Sequence, residues 1–230
     1  MSLTPLKYSP RKAGGWTPPG IYQLKPFDDS FIAGTLPSWL TVPAVTGQAT
    51  EGATYSFGSF PGARSFLKVT SAAGAAKQAK LACAYSFDNT LLAGCLWELD
   101  GLKFDADNAI IAFGLAGSGG KGVYLQQTTT DTTAFLRWGA GAGSQAINLL
   151  LRSGGMATSV RNLKLFYNFL QNSVYVYVND QCVGAVENAA SVGGGAIQPD
   201  VSIISNGGSS TSVSLYVARA RLTIWGNSMP

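Results

Sequence analysis

The 230-residue sequence contains no histidine, and only 12% of its residues are charged. The absence of histidine excludes a Ser-His-Asp triad, a Cys-His pair, a histidine general base and a histidine-ligated zinc. The 12 Asp and Glu residues leave few candidates for a pair of catalytic carboxylates. The chain does have 28 glycines and a hydrophobic fraction of 46%, which suit large buried sheet faces joined by tight turns.

The chain also lacks a basic cluster and a long apolar run. Its net charge is only +4, and the densest basic stretch, Lys7, Arg11 and Lys12, is too sparse for a nucleic-acid footprint. No run of about 18 uncharged apolar residues is present to cross a membrane, and the N-terminal stretch has no apolar core of a signal peptide. We therefore expect no nucleic-acid partner, no membrane insertion, and synthesis in a cytoplasm without export.

The three cysteines, Cys83, Cys95 and Cys182, form no Cys-x-x-Cys motif. Cys83 and Cys95 lie in apolar runs, which predicts buried free thiols that act as small hydrophobic side chains. A Cys83–Cys95 bridge across a hairpin remains the alternative. Free thiols fit a protein made in a reducing cytosol.

Residues 1–26 are rich in proline and glycine, which predicts an extended arm ahead of a domain over residues 27–230. The arm carries aromatic side chains, so we expect it to pack on something, either its own domain or a neighbouring subunit. The residues predicted to act in assembly are Lys7, Tyr8, Arg11, Trp16 and Tyr22.

From residue 27 onward, about a dozen short strand patterns alternate with turn residues, and no convincing amphipathic helix exceeds about 10 residues. Val174, Val176 and Val178 alternate with Tyr175 and Tyr177. Several strand patterns are apolar on both faces, so each face must pack against another part of the protein. The pattern therefore predicts an all-β fold, a two-sheet antiparallel jelly-roll sandwich.

Two local features of the strand pattern concern a turn and a long strand. The run Leu91–Leu99 is expected to end at a turn formed by Asp100 and Gly101. Residues 212–225 are expected to form a single strand, which would place Leu215 and Leu222 on opposite faces.

Residues 160–186 carry a resemblance to a known family. They read VRNLKLFYNFLQNSVYVYVNDQCVGAV, in which one strand ends in Tyr-Asn, the next reads VYVN and a turn leads into VG. This segment resembles a hairpin of the concanavalin A-like lectin and glucanase sandwiches, and the likeness extends over about residues 27–226. It implies a jelly-roll fold that hosts lectins as well as glycan hydrolases. The arm and the low charge look similar to minor tail or other virion proteins of tailed phages.

Retaining glucanases of this fold place their carboxylates on one strand face in the pattern E-x-D-x-x-E. Glu98 and Asp100 fit the first two positions, but the third is Lys103, which cannot replace the missing acid. Hydrolysis needs two carboxyls about 5 Å apart, one protonated and one ionised. Three interpretations stay open: a strand end with a solvated turn, a relic that still binds sugar, and a hydrolase. We expect the first.

Two further motifs predict neither a metal nor a cofactor. Residues 105–108 offer oxygen ligands at a calcium-like spacing but lack the glycine and distal glutamate of a calcium loop, so they predict a polar turn. The glycine-rich stretch 114–122 fails the phosphate-loop pattern at both ends, at Leu115 and Gly122.

Aromatic rings that stack on sugars, next to amide and hydroxyl donors, are the pattern of a carbohydrate site. Trp138 stands between Arg137 and a glycine-rich stretch, so we expect it to be an exposed aromatic side chain. The predicted carbohydrate-binding residues are Trp138, Arg137, Tyr124, Gln126, Tyr175 and Tyr177.

These features favour a non-enzymatic virion structural protein of a tailed bacteriophage, a minor tail or other surface component. We expect it to dock on other virion subunits through the arm, to form a homo-oligomer and to contact glycans of the host surface. A stand-alone lectin module and a glycan hydrolase are the alternatives.

Overall fold

The computed structural model of the chain describes residues 21–23, 27–43, 54–60, 64–74, 76–88, 92–105, 108–118, 121–129, 133–140, 145–150, 161–187, 196–205 and 212–227. These residues are mostly β-strand, and none of them forms an α-helix. The described ranges consequently hold no helix of the length and hydrophobicity that crossing a membrane requires.

Eighteen strands are described, and all their pairings are antiparallel. They are β1 (Ile21–Gln23), β2 (Phe27–Asp29), β3 (Leu40–Thr41), β4 (Thr54–Phe60), β5 (Arg64–Thr70), β6 (Gln78–Cys83), β7 (Phe87–Asp88), β8 (Leu92–Asp105), β9 (Ala109–Gly117), β10 (Lys121–Thr128), β11 (Thr133–Ala140), β12 (Gln145–Leu150), β13 (Arg161–Asn168), β14 (Ser173–Val178), β15 (Gln181–Val186), β16 (Ala196–Ser205), β17 (Ser214–Val217) and β18 (Arg219–Asn227).

The strands form two sheets. Sheet one has the order β15-β14-β13-β8-β17-β5-β4, and β18 also pairs with β8, with β1 and β2 alongside it. Sheet two has the order β12-β11-β10-β9-β16-β6-β3, and β7 pairs with β16. Both sheets join strands that are far apart in sequence, as β16 lies between β9 and β6. This architecture confirms the predicted two-sheet antiparallel jelly-roll sandwich.

Alternation along the strands builds the core between the sheets. In β13 every second side chain from Arg161 onward is buried, and the intervening ones are half-buried. Trp97 of sheet one is fully buried and stacks on Phe113 of sheet two with ring centroids 6.4 Å apart. Its indole N–H donates a hydrogen bond to the backbone carbonyl of Asp200, at 3.3 Å. This bond ties the centre of sheet one to β16 of sheet two.

The predicted hairpin of residues 160–186 is confirmed, because β13 pairs with β14 and β14 with β15. Val174, Val176 and Val178 are buried, whereas Tyr175 and Tyr177 are half-buried on the opposite face. Strands β10 and β11 also pair antiparallel with each other.

The expected turn at Asp100 and Gly101 was wrong. Strand β8 continues through both residues for 14 residues in all. Gly101 has a φ of +63°, and a Cβ there would lie 2.6 Å from the Cβ of Ala218. At this point the partner of β8 changes from β18 to β17. The Asp-Gly pair therefore makes an irregularity inside a long strand, where glycine allows the close approach.

The expected single strand over residues 212–225 was wrong for a related reason. It breaks at Ala218 into β17 and β18, and the Ala218 N–H donates to the Asp100 carbonyl at 3.0 Å. Leu215 and Leu222 are both fully buried on the core face, although alternation places them on opposite faces. One extra residue at the break shifts the side-chain alternation.

Cys83 and Cys95 are buried free thiols, as expected, and Cys182 is an exposed free thiol. Cys83 lies on β6 of sheet two and Cys95 on β8 of sheet one, so the two are not partners across a hairpin. Burial raises the pKa of both buried thiols, most strongly that of Cys95.

Part of the predicted arm belongs to sheet one, because Ile21–Gln23 pairs with β18. These three residues of the arm therefore pair with the chain's own domain, which is one of the two expected placements. Tyr22 lies opposite Gly226 in this pairing. Lys7, Tyr8, Arg11 and Trp16 lie outside the described residues, so the assembly role of the arm stays a prediction.

Candidate functional site

A groove of about 350 Å³ lies on the outer face of sheet two, across β6, β16, β9, β10 and β11. Each strand points apolar residues at the core and the alternate residues at this face. Leu81 of β6 is fully buried, for example, while Lys80 beside it lines the groove. The residues that line the groove are Gln78, Lys80, Ala112, Gly122, Tyr124, Gln126, Arg137, Trp138, Gly139, Asp200 and Ser202.

One row of opposed residues runs across the centre of the groove. Asp200 on β16 faces Gly114 on β9, Gly114 faces Tyr124 on β10, and Tyr124 faces Arg137 on β11. Opposed residues share a face of the sheet, so the carboxylate, the phenol and the guanidinium all belong to the outer face. Gln126, two residues beyond Tyr124, lies on that face as well.

Tyr124 occupies the middle of the row because two glycines leave room for its ring. A Cβ on Gly114 would lie 2.8 Å from Cδ1 of Tyr124, and a Cβ on Gly122 would lie 2.5 Å from Cε2. The ring therefore fills the space above both glycines and forms part of the groove floor. Burial and the nearby Asp200 charge raise the pKa of the Tyr124 phenol, which keeps its O–H as a hydrogen-bond donor at neutral pH.

Asp200 is a buried carboxylate at one end of the row, with 3% of its surface exposed. Its Oδ2 forms an ion pair with Lys80 Nζ at 2.5 Å. Its Oδ1 has no hydrogen-bond partner among the described residues. Burial raises the pKa of this carboxyl, and the Lys80 ammonium opposes that rise.

Arg137 stands at the other end of the row and is exposed. Its guanidinium carbon lies 5.3 Å from the centroid of the Phe135 ring, a cation–π distance. The described residues provide no ion-pair partner for it.

Four predicted carbohydrate-binding residues line the groove: Tyr124, Gln126, Arg137 and Trp138. The expected exposure of Trp138 was wrong, because it is only 8% exposed and belongs to the core cluster. Trp138 borders the groove but lies opposite Val123, which is fully buried, so its side chain shares the core face. The alternation of Ala134, Leu136 and Trp138 is the sequence signal for this placement.

Tyr175 and Tyr177 lie on the outer face of sheet one, on the other side of the sandwich. Tyr175 stacks on Phe166 with ring centroids 6.1 Å apart, and Tyr177 lies opposite Lys164. The structure does not bring them together with the groove, and their part in sugar binding stays a prediction.

Glu98 and Asp100 also lie on sheet one, facing away from the core residues Trp97 and Leu99. Glu98 is 5% exposed, and its oxygens lie 3.1 Å from Lys164 Nζ and 3.6 Å from Arg221 Nη1. Glu98 is thus engaged by two cations on the face opposite the groove.

The sequence interpretation missed four polar groove residues, Gln78, Lys80, Asp200 and Ser202. They alternate with buried apolar residues in β6 and β16, which marks them as outward-facing. The alternation does not reveal that these strands neighbour β9, because that contact comes from the topology.

No group of three or more His, Cys, Asp or Glu side chains that could hold a metal ion occurs in the described ranges. Asp105 of the calcium-like turn is described and exposed, and Asp107 lies outside those ranges.

The fold is shared with carbohydrate-active proteins of known structure. The GH16 protein of the Bacteroides ovatus mixed linkage glucan PUL, solved in complex with a product, matches with a TM-score of 0.61 and 10% identity, covering 85% of this chain and 99% of that chain. The Emp47p carbohydrate recognition domain matches with a TM-score of 0.55 and 10% identity, covering 94% and 100%. The endo-1,3-beta-glucanase from Streptomyces sioyaensis matches with a TM-score of 0.55 and 11% identity, covering 92% and 99%.

No protein-family model and no curated protein matches the sequence. Identities of 10 to 11% show a shared fold and nothing finer. The chain therefore has the concanavalin A-like jelly-roll sandwich that lectin recognition domains and GH16 glycanases also use.

Proposed function

We propose that this protein is a non-enzymatic glycan-binding protein whose ligand lies in the groove on sheet two. The observation that carries the proposal is the row of Asp200, Tyr124 and Arg137, with Gln126 beside it, in a groove of about 350 Å³. Ligand sites of this size combine an apolar floor with a few placed polar groups. An aromatic ring offers a face for the C–H groups of a sugar, and the amides and charged groups bond its hydroxyls.

The neighbours in fold support the proposal, since their names describe a carbohydrate recognition domain and glucanases. A glycan bound across the outer face of a sheet needs polar side chains there to bond its hydroxyls. The groove draws such side chains from β6, β16, β10 and β11, and β9 between them contributes Ala112.

The non-enzymatic part of the proposal is supported by the carboxylates. Retaining hydrolysis uses two carboxyls about 5 Å apart. Asp200 is the single carboxylate among the described residues that line the groove, and Lys80 holds one of its oxygens. Glu98, the sequence candidate for a nucleophile, is held by Lys164 and Arg221 on the other sheet.

We further infer that the protein works as a surface or assembly component of a tailed-phage particle. It would dock on other virion subunits through residues 1–26, associate with copies of itself and touch glycans of the host surface. The support is the sequence of the arm, which combines prolines and glycines with Trp16, together with three free cysteines in a fold that needs no bridge.

A glycan array with three variants of the full chain tests the binding site. Tyr124→Ala and Gln126→Ala should each weaken binding to the bound glycans, because both side chains line the groove. Tyr175→Ala removes a predicted sugar-binding tyrosine from sheet one and serves as the matched control. Loss of binding in the Tyr175 variant with none in the Tyr124 variant would place the site on sheet one and contradict the proposal.

Light scattering on the full chain tests the assembly role. The expected result is a defined oligomer that Trp16→Ala weakens, with Trp39 and the other tryptophans left in place. A full chain that is monomeric at every concentration, while still binding glycans, would favour a stand-alone lectin over a particle subunit.

A further inference from the structure

The described groove carries more positive than negative charge. Its charged lining residues are Lys80, Arg137 and Asp200. Lys80 and Asp200 form an ion pair at 2.5 Å and cancel each other's charge. Arg137 has no such counter-ion among the described residues. One uncompensated cation therefore faces the place where the proposed ligand lies.

Asp200 is too far away to neutralise Arg137. The two residues occupy the same row on β16 and β11, which are three strand spacings apart, about 14 Å. Asp200 is instead the ion-pair partner of Lys80, and no ion pair joins it to Arg137. The Phe135 ring lies against the guanidinium of Arg137 and limits its orientations.

We infer that the groove selects an acidic glycan, one that carries a carboxylate or sulfate group on a sugar next to Arg137. The planar guanidinium offers paired N–H donors that match two oxygens of such a group. Tyr124 would hold the sugar ring, and Gln126 would bond its hydroxyls. A neutral glycan has no anionic group to pair with Arg137, so the guanidinium stays hydrated and its charge adds nothing to binding. This inference rests on the proposed function, since it names the ligand class of the same groove.

The test is an array printed with neutral, uronate-bearing and sulfated oligosaccharides, probed with the full chain. Arg137→Gln removes the groove cation. Lys103→Gln removes a cation from the outer face of sheet one, where Lys103 lies 5.7 Å from the Tyr216 ring, and so makes the same change in net charge. Arg137→Lys keeps the charge and loses the paired donors.

The expected result is stronger wild-type binding to acidic than to neutral members. Arg137→Gln should reduce it at least about tenfold, the effect of losing a charge-assisted hydrogen bond, while Lys103→Gln changes it less than about twofold. Arg137→Lys should fall between the wild type and Arg137→Gln. The uronate and sulfate sets show which anionic group is preferred.

Three outcomes would overturn the inference. Equal losses in Arg137→Gln and Lys103→Gln would mean that only the overall charge matters. Binding to neutral members that depends on Tyr124 but not on Arg137 would overturn the acidic preference and leave the proposed glycan site standing. Binding to no member of the array would contradict the proposed function and the inference together.

Discussion

Replacing Glu98 by glutamine separates a structural role on sheet one from a role in the groove. Glu98 joins two cations that lie on either side of it, Lys164 on β13 and Arg221 on β18. Lys164 also pairs with Asp180 at 2.9 Å, and Arg221 with Asp28 at 3.3 Å. The four strands β2, β18, β8 and β13 are thus linked by one chain of ion pairs across the outer face of sheet one.

The size of the effect follows from burial and from the remaining partners. The side chains of Glu98 and Lys164 are only 7% and 12% exposed, so their contact is worth more than a surface ion pair. Removing one partner of a buried pair costs about 3–5 kcal/mol when a charge is left alone. Here both cations keep a second carboxylate, so we expect the lower loss of a charge-assisted hydrogen bond, about 1.5–3 kcal/mol.

The assay is thermal and denaturant unfolding of the full chain, with glycan binding measured on the same samples. For a chain of this length the expected loss corresponds to a fall in Tm of about 3–12 °C. Glu187→Gln, at an exposed site, is the control and should stay within about 0.5 kcal/mol of the wild type. Glycan binding should be unchanged in both variants. A Glu98 variant that is as stable as the control, or that folds normally and loses glycan binding, would refute the reasoning.

Three other predictions follow from individual contacts. Gly122→Ala places a Cβ 2.5 Å from the Tyr124 ring, so both the stability of the fold and glycan binding should weaken. Unfolding measurements should show a loss of about 1–3 kcal/mol of stability. Wild-type stability together with wild-type glycan binding would contradict the proposed groove floor. Arg219 lowers the pKa of the Asp28 carboxyl, so the contribution of Asp28 to stability is present above its usual pKa of about 3.9 and disappears as the pH falls further. Asp28→Asn should therefore lose about 0.5–1 kcal/mol of stability at pH 7 and converge with the wild type in acid. A difference in stability that does not change with pH would contradict this. Of the three cysteines, Cys182 alone should react with a thiol reagent in the native protein, and all three should react after unfolding.

The sandwich was predictable because its signals are local. The valine and tyrosine alternation of β14 and the turn before β15 specify the hairpin without any other part of the chain. Tyr124 and Arg137 also come together through a hairpin, so their proximity follows from short-range pairing.

The other half of the groove was not predictable in this way. Lys80 and Asp200 reach Tyr124 only because β16 and β6 follow β9 in sheet two, and no local pattern fixes that order. Local alternation is also blind to which sheet a tyrosine joins, so Tyr124 and Tyr175 looked equivalent in sequence and lie on opposite sides of the sandwich.

The errors at Gly101 and Ala218 share one physical cause. The two residues meet where β8 exchanges β18 for β17, and a Cβ on Gly101 would lie 2.6 Å from that of Ala218. The resulting irregularity keeps β8 extended past an Asp-Gly pair that usually marks a turn. The same irregularity reverses the side-chain alternation between Leu215 and Leu222.

The central claim is that glycans bind on sheet two, and hydrogen–deuterium exchange of the full chain tests it most directly. The full chain would be compared with and without the oligosaccharide that gives the strongest array signal. Binding in the groove predicts slower exchange in β10 and β11, around Tyr124 and Arg137, with β13 and β14 unchanged. Slower exchange confined to β13 and β14, around Tyr175, would contradict it.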